Sequence, residues 1–245
     1  MTRKVQVRDL GRMDYQQCWA LQEEVFKGIV NAKIERRNAG LSTTEVGPEN
    51  DADLALPRSE MIWVEHPHVL TLGKSGEESN VVASLEDLAK LGVQYFPINR
   101  GGDITYHGPG QLVGYPILDL DQFFTDIHRY LRFLEEAVIR TGGEYGIVAG
   151  RIDGLTGVWI DAEDGPKARK ICAFGVKCSR WVTMHGLALN VNTDLDFFNL
   201  IVPCGIADRG VTSIAKELGR TVDFEEVKAH MNRHMAALFE WEEVN

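Results

Sequence analysis

Apolar residues recur at helical spacing from Tyr15 to Ile34, where Cys18, Leu21, Val25 and Ile29 share one face and Asp14 stands ready to cap the start. That spacing predicts an amphipathic helix with Cys18 in the core. A second helix is predicted where Ile127, Tyr130, Leu131, Leu134, Ala137 and Val138 line one face. Asp126 caps it, and Gly142-Gly143 is expected to stop it. A third is predicted from near Asp223, with Glu226 as its capping-box partner and Val227, Met231, Met235 and Leu238 as its apolar stripe.

Between these helices the period shortens. "EMIWVE" and "HVLTLG" read as short strands. "VQYFPI", Val93 to Ile98, reads as another, whose proline predicts an edge or an end. "QLVGYPILDL", Gln111 to Leu120, reads as a strand leaving a glycine-rich turn. "GLTGVWI", "RKICAFGVKC" and "VTMHGLALNVN" follow, with "EDGPK" as a hairpin-turn signal between the first two. In the last, Leu187, Leu189 and Val191 alternate with smaller or polar residues, as in a half-buried strand. The polar, turn-rich stretch Asn38 to Leu54 reads as a surface loop. No linker or internal repeat divides the chain, so one mixed α/β (α+β) domain over 1–245 is expected.

Composition narrows the class. The chain has 245 residues, 44% hydrophobic and 25% charged, which is ordinary for a globular protein. No apolar run approaches the roughly 18–20 residues of a membrane span. The basic start lacks an apolar signal core, so a cytoplasmic protein away from membranes is expected. Cys18, Cys172, Cys178 and Cys204 suit that compartment as free thiols. With no C-x2-C pair to supply two cysteine ligands, no metal is expected. A net charge of −10 argues against general nucleic-acid binding, although "KARK", Lys167 to Lys170, is a candidate basic patch.

Three stretches carry candidate chemistry. In "NRGGDITYHGPGQLVGYP", glycines surround Arg100, Asp103, Thr105, Tyr106 and His107. Such a segment suits a loop lining a ligand, or a hairpin with a satisfied core histidine; the residues alone leave both open. It is neither a Walker loop nor a dinucleotide fingerprint. "KARKICAFGVKCSRWVTMHGLALNVN" offers Lys170 and His185, each with a bland reading as a solvated lysine and a structural histidine. "FNLIVPCGIADRG" holds Cys204 after a proline and before a glycine. It is either a small buried hydrophobe or a nucleophile on a turn.

Together, "EHPHVLTLGKSGEESNV", "RGGDITYHGPGQLVGYP", "RKICAFG", "MHGLALN" and "IVPCGI" followed by "VTS" resemble the lipoyl(octanoyl) transferases. These are the octanoyl-[acyl-carrier-protein]–protein transferases of lipoate biosynthesis. The resemblance runs from about Met61 to Leu218, in the family's order. It implies the α/β fold of biotin and lipoate protein ligases. It implies octanoyl-acyl carrier protein as donor, and as acceptors the apo lipoyl domains of 2-oxoacid dehydrogenases and the glycine cleavage H protein. No cofactor and a monomeric enzyme are expected. By the same resemblance Cys204 is the nucleophile, and Lys170 lowers its pKa. Substrate-binding segments fall on Arg100, Gly101, Gly102, Asp103, Ile104, Thr105, Tyr106 and His107; on Ala173, Phe174 and Gly175; and on Gly186, Leu187 and Ala188. Cys172, Cys178 and the length of the 38–54 loop depart from the family pattern.

The implied chemistry is coherent. A thiolate nucleophile keeps the intermediate a thioester, so activation is retained and no ATP is needed. A free cysteine near pKa ~8.5 is only a few per cent thiolate at neutral pH, and a nearby ammonium favours that form. Neutral Lys170 then takes a proton from the acceptor amine, and backbone N–H groups near glycines suit the oxyanion. Burying about seven methylenes at ~0.8 kcal/mol each gives a ceiling of ~5–6 kcal/mol for selecting chain length. Small residues at the Gly186 strand are expected to leave room for that tail. Three rivals compete: an ATP-dependent ligase on the same fold, a cysteine hydrolase using His185 or His107 as base, and a non-catalytic lipoyl-domain binder.

Overall fold

The computed structural model describes residues 3–43, 56–202 and 209–244. Cys204, and the polar loop from residue 44 onward, lie outside the described residues. The chain enters on β1 (Arg3–Arg12) and turns into α1 (Tyr15–Asn38), where the Asp14 carboxylate accepts the N–H groups of Gln16 and Gln17 at 2.9 and 3.2 Å. Then come β2 (Ser59–Glu65), β3 (Val69–Leu72), α2 (Leu85–Lys90), β4 (Gln94–Pro97), β5 (Ile104–His107) and β6 (Gln111–Ile117). Next are α3 (Ile127–Glu144), β7 (Ala149–Ile152), β8 (Leu155–Ile160), β9 (Arg169–Ser179) and β10 (Val182–Asn190). The chain ends through β11 (Gly210–Val211), α4 (Ile214–Leu218), α5 (Phe224–Phe239) and β12 (Trp241–Val244).

The main sheet runs β12-β1-β2-β6-β10-β9-β8-β7, with β11 laid parallel on β9. A second sheet, β4-β3-β5, places the proline-bearing β4 at an edge, as its sequence predicts. Both faces of the main sheet are covered. Met61, Trp63, Leu112 and Leu187 pack with Tyr130 and Leu134 of α3 and with Met231 and Met235 of α5. Ile62, Val64, Val113 and Tyr115 face the other way, onto Cys18, Phe26 and Ile29 of α1. Each large apolar side chain so buried contributes roughly 1.5–3 kcal/mol before chain entropy is subtracted. Among the described residues no helix is long and apolar enough to cross a membrane.

Several expectations change. Strand β10 is buried at all nine positions, not half-buried, because it lies between β6 and β9 with layers on both faces. Helix α3 runs through Gly142-Gly143 to Glu144, and the chain turns at Gly146, whose φ is +72°. The buried line of α1 passes through Cys18, Gln22, Phe26, Ile29, Lys33 and Arg36, while Leu21 and Val25 sit at its flank. Polar side chains occupy that line because they find partners there: the Lys33 ammonium pairs with Asp119 and with Asp121, the latter at 2.8 Å. On α5 the last buried position is Phe239, and Leu238 is only partly covered. The "KARK" basic patch is quenched locally. Lys167 pairs with Asp164 at 2.9 Å, and Arg169 with Asp161 and Glu217.

Candidate active site

The Arg100–Asp103 turn, β5, and the middles of β9 and β10 enclose a cavity of about 520 Å³, within the usual size of small-molecule sites. Arg100, Gly101, Gly102, Asp103, Ile104, Thr105, His107, Lys170, Ala173, Phe174, Gly175, Gly186, Leu187 and Ala188 all line it. Segments far apart in the chain therefore converge on one space. Tyr106 alone of the described candidates faces away. It packs in a cluster with Leu70 and Leu88, its hydroxyl 2.8 Å from His68 Nδ1 and its ring stacked on Phe197. Residues not foreseen as lining include Tyr15, Ser75, Tyr115, Leu131, Thr156 and Phe198. Ser75, Tyr115 and Phe198 fall inside the motif stretches, whereas Tyr15, Leu131 and Thr156 come from segments that carry no such signal.

Arg100 is the frame of the turn. Its Nη2 donates to the Thr71 carbonyl and hydroxyl at 2.6 and 3.0 Å, and its Nη1 to the Gly101 carbonyl at 3.1 Å. The guanidinium packs so closely that glycine is needed around it. A Cβ on Gly73 would lie 2.8 Å from Arg100 Nη1, and one on Gly175 2.7 Å from Arg100 Cδ. Asp103 is held too: its Oδ1 accepts the Ile104 N–H at 2.7 Å and its Oδ2 the Asn80 amide at 2.7 Å. Both residues shape the loop through backbone and side-chain contacts.

Gly186 lines the cavity, but its lack of a side chain does not make room for a tail. A Cβ there would lie 2.2 Å from the Gly114 carbonyl oxygen and 2.6 Å from Pro116 Cδ. The glycine is required by the approach of β6.

The two histidines of the site are neutral. His107 is buried, and its Nδ1 meets Gln111 Oε1 at 2.8 Å. The Gln111 amide donates to the Tyr106 carbonyl and to Asn190 Oδ1, so its oxygen is the acceptor and His107 Nδ1 carries the proton. Burial pushes His107 down to about 3. His185 is 1% exposed, has φ +59°, and is likewise pushed down to about 3 by burial. Its Nε2 meets Asn99 Oδ1 at 3.1 Å, and its N–H donates to the buried Gln22.

Lys170 enters from the start of β9, in the cavity wall, with its ammonium 4.6 Å from the centre of the Trp159 ring. Beside it runs β11: Val211 is paired with Lys170, and the Thr212 N–H donates to the Lys170 carbonyl at 2.9 Å. Among the described cysteines, Cys172 is fully buried and its thiol is pushed far up by burial, while burial raises Cys18 to about 12. Neither is poised as a thiolate.

Residues 14–236 match the family described as the lipoyl protein ligase A/B catalytic domain. The chain is 55% identical over 238 residues to an octanoyltransferase of Cytophaga hutchinsonii, covering 97% of this chain and 93% of that one. It belongs to the octanoyltransferase family. It is accordingly an acyltransferase. The fold agrees. A bi-partite lipoate protein ligase from Thermoplasma acidophilum superposes with a TM-score of 0.65 at 17% identity, covering 100% of this chain and 86% of that one. Biotin protein ligase from Aquifex aeolicus superposes with a TM-score of 0.50 at 13% identity, covering 96% and 70%.

Proposed function

We propose that this octanoyltransferase takes the octanoyl group from acyl carrier protein onto Cys204 as a thioester, then passes it to a lysine of an apo lipoyl domain. The observation that carries the reading is Lys170. It lies in the wall of the same cavity as Arg100–Gly102, Ala173–Gly175 and Gly186–Ala188. The strand paired against it, β11, begins close behind Cys204 in the chain.

The steps balance with these two residues. The Cys204 thiolate attacks the donor's thioester carbon, and the carrier's sulfur leaves, taking a proton from the Lys170 ammonium. Neutral Lys170 then receives a proton as the acceptor amine attacks the acyl-enzyme. The amide forms, the Cys204 thiolate is released, and the thiolate–ammonium pair is restored. The hydrolase reading fits less well. Both histidines that would serve as base are buried and held to about 3, far from the range of a general base at neutral pH.

Lys170→Met and Lys170→Arg test this. Removing the ammonium raises the thiol pKa, so iodoacetamide labelling of Cys204 in Lys170→Met should move to higher pH. Transfer to the acceptor should fall further than acylation. Lys170→Arg keeps the charge yet cannot act as base, because its pKa is above ~12. It should keep much of the labelling profile and lose the second step. An unmoved profile in Lys170→Met would reject the activating role.

A further inference from the structure

Lys170 has a partner built into the sheet. Trp159 lies directly across from it on β8, and the indole is 2% exposed. The Lys170 ammonium sits 4.6 Å from the ring centre, and the same ring carries a second cation, the Arg209 guanidinium carbon at 5.6 Å. Gly157, on the same strand and the same pleat face, completes the arrangement. A Cβ there would lie 3.0 Å from Trp159 Nε1 and 3.1 Å from Lys170 Cε. A side chain at Gly157 would therefore crowd both the lysine stem and the indole, one of which must give by a few tenths of an ångström. Arg209 leads directly into β11, so the ring also ties the head of that strand to β8.

A lysine stem is flexible and its ammonium a compact point charge, so position has to come from outside the residue. An aromatic face attracts a cation, and more strongly where water is excluded. We propose that Trp159 is the positioning residue of the transfer: its indole holds the Lys170 ammonium in the cavity wall through a cross-strand cation–π contact. This rests on Lys170 as the acid–base residue, and adds what fixes it in place.

The test compares wild type, Trp159→Leu, Trp159→Phe and Lys170→Met for kcat, donor KM and Tm. Trp159→Leu should lose about tenfold in kcat with donor KM within about twofold. Trp159→Phe keeps an aromatic face and should retain at least about a third of wild-type kcat. A residue that only filled the core would lower Tm and leave kcat per folded enzyme in place. Because Trp159→Leu risks the fold, graded incorporation of fluorinated tryptophan supplies a second measurement. It weakens the ring's negative face at nearly constant shape, and should lower kcat with donor KM and Tm little changed.

Trp159→Leu with wild-type kcat, while Lys170→Met is inactive, overturns the positioning role alone. So does Trp159→Phe losing as much as Trp159→Leu. Lys170→Met acting as wild type overturns the acid–base reading itself, and the role of Trp159 with it.

Discussion

Gly186→Ala separates packing from ligand space at one position. The new methyl would start 2.2 Å from the Gly114 oxygen and 2.6 Å from Pro116 Cδ. Neither atom belongs to a side chain that can swing aside. One is a backbone carbonyl of the neighbouring strand; the other is in a ring locked to its own backbone. Strands β6 and β10 must therefore part by about 1 Å beside the Leu187–Gly114 pair. Overpacking of this kind costs ~1–3 kcal/mol, and with two rigid neighbours the upper end is expected. At roughly 2–4 °C per kcal/mol for a chain of this size, Tm should fall by about 6–12 °C. Differential scanning fluorimetry reads that directly. Rates with hexanoyl, octanoyl and decanoyl donors should fall in a common ratio, since the cavity's shape is not the target. Ala173→Leu is the companion, because Ala173 is only partly buried and lines the cavity. It should reduce octanoyl and decanoyl transfer more than butanoyl, with Tm changed by less than about 3 °C. Gly186→Ala with a wild-type Tm and a selective loss of octanoyl transfer would refute the packing argument.

Acid should destabilise the fold well before its carboxylates protonate. Burial holds His66 at about 4 and both His107 and His185 at about 3, against ~6.5 in the unfolded chain. The unfolded state therefore binds more protons below pH ~6.5. Stability is complete above that pH and is lost as pH falls toward the folded values, by up to ~2 kcal/mol per histidine at pH 5. Urea midpoints at pH 7.5 and 5.0 check this, and equal midpoints would contradict it. Lys33→Met leaves Asp119, 0% exposed, without its ammonium and should cost ~3–5 kcal/mol, whereas Lys33→Met with Asp119→Leu should recover most of the loss. Equal instability of the single and double variants would show that the pair is not what matters there.

Much of this fold was legible because its elements obey local rules. Asp14, Asp126 and Asp223 cap the three long helices as their sequences suggest. The proline in β4 marks an edge. Elsewhere tertiary contacts override local pattern. Gln22, Lys33 and Arg36 look like surface residues, yet lie on the buried line of α1 because partners await them. Gly142-Gly143 looks like a stop, but packing of α3 carries the helix through both. For the candidate site, the glycine-rich turn and the β9 and β10 segments stood out in sequence, and they converge on one cavity. Tyr106 sits among lining residues in the sequence yet faces away, because its hydroxyl and ring find their partners in His68 and Phe197. Gly186 looks like space in the sequence, and only the distance to Gly114 shows otherwise. Trp159 was invisible as a partner of Lys170, since cross-strand register is not written in either strand alone.

The covalent intermediate is the centre of the proposed chemistry, and intact-protein mass spectrometry tests it most directly. On mixing with octanoyl-acyl carrier protein, the wild-type chain should gain the mass of one octanoyl group. Hydroxylamine should remove it, and peptide mapping should locate it on Cys204. Cys204→Ala should gain nothing. Acylation of Cys204→Ala at the wild-type rate, or an octanoyl group mapped to Cys172 or Cys178, would contradict the thioester mechanism.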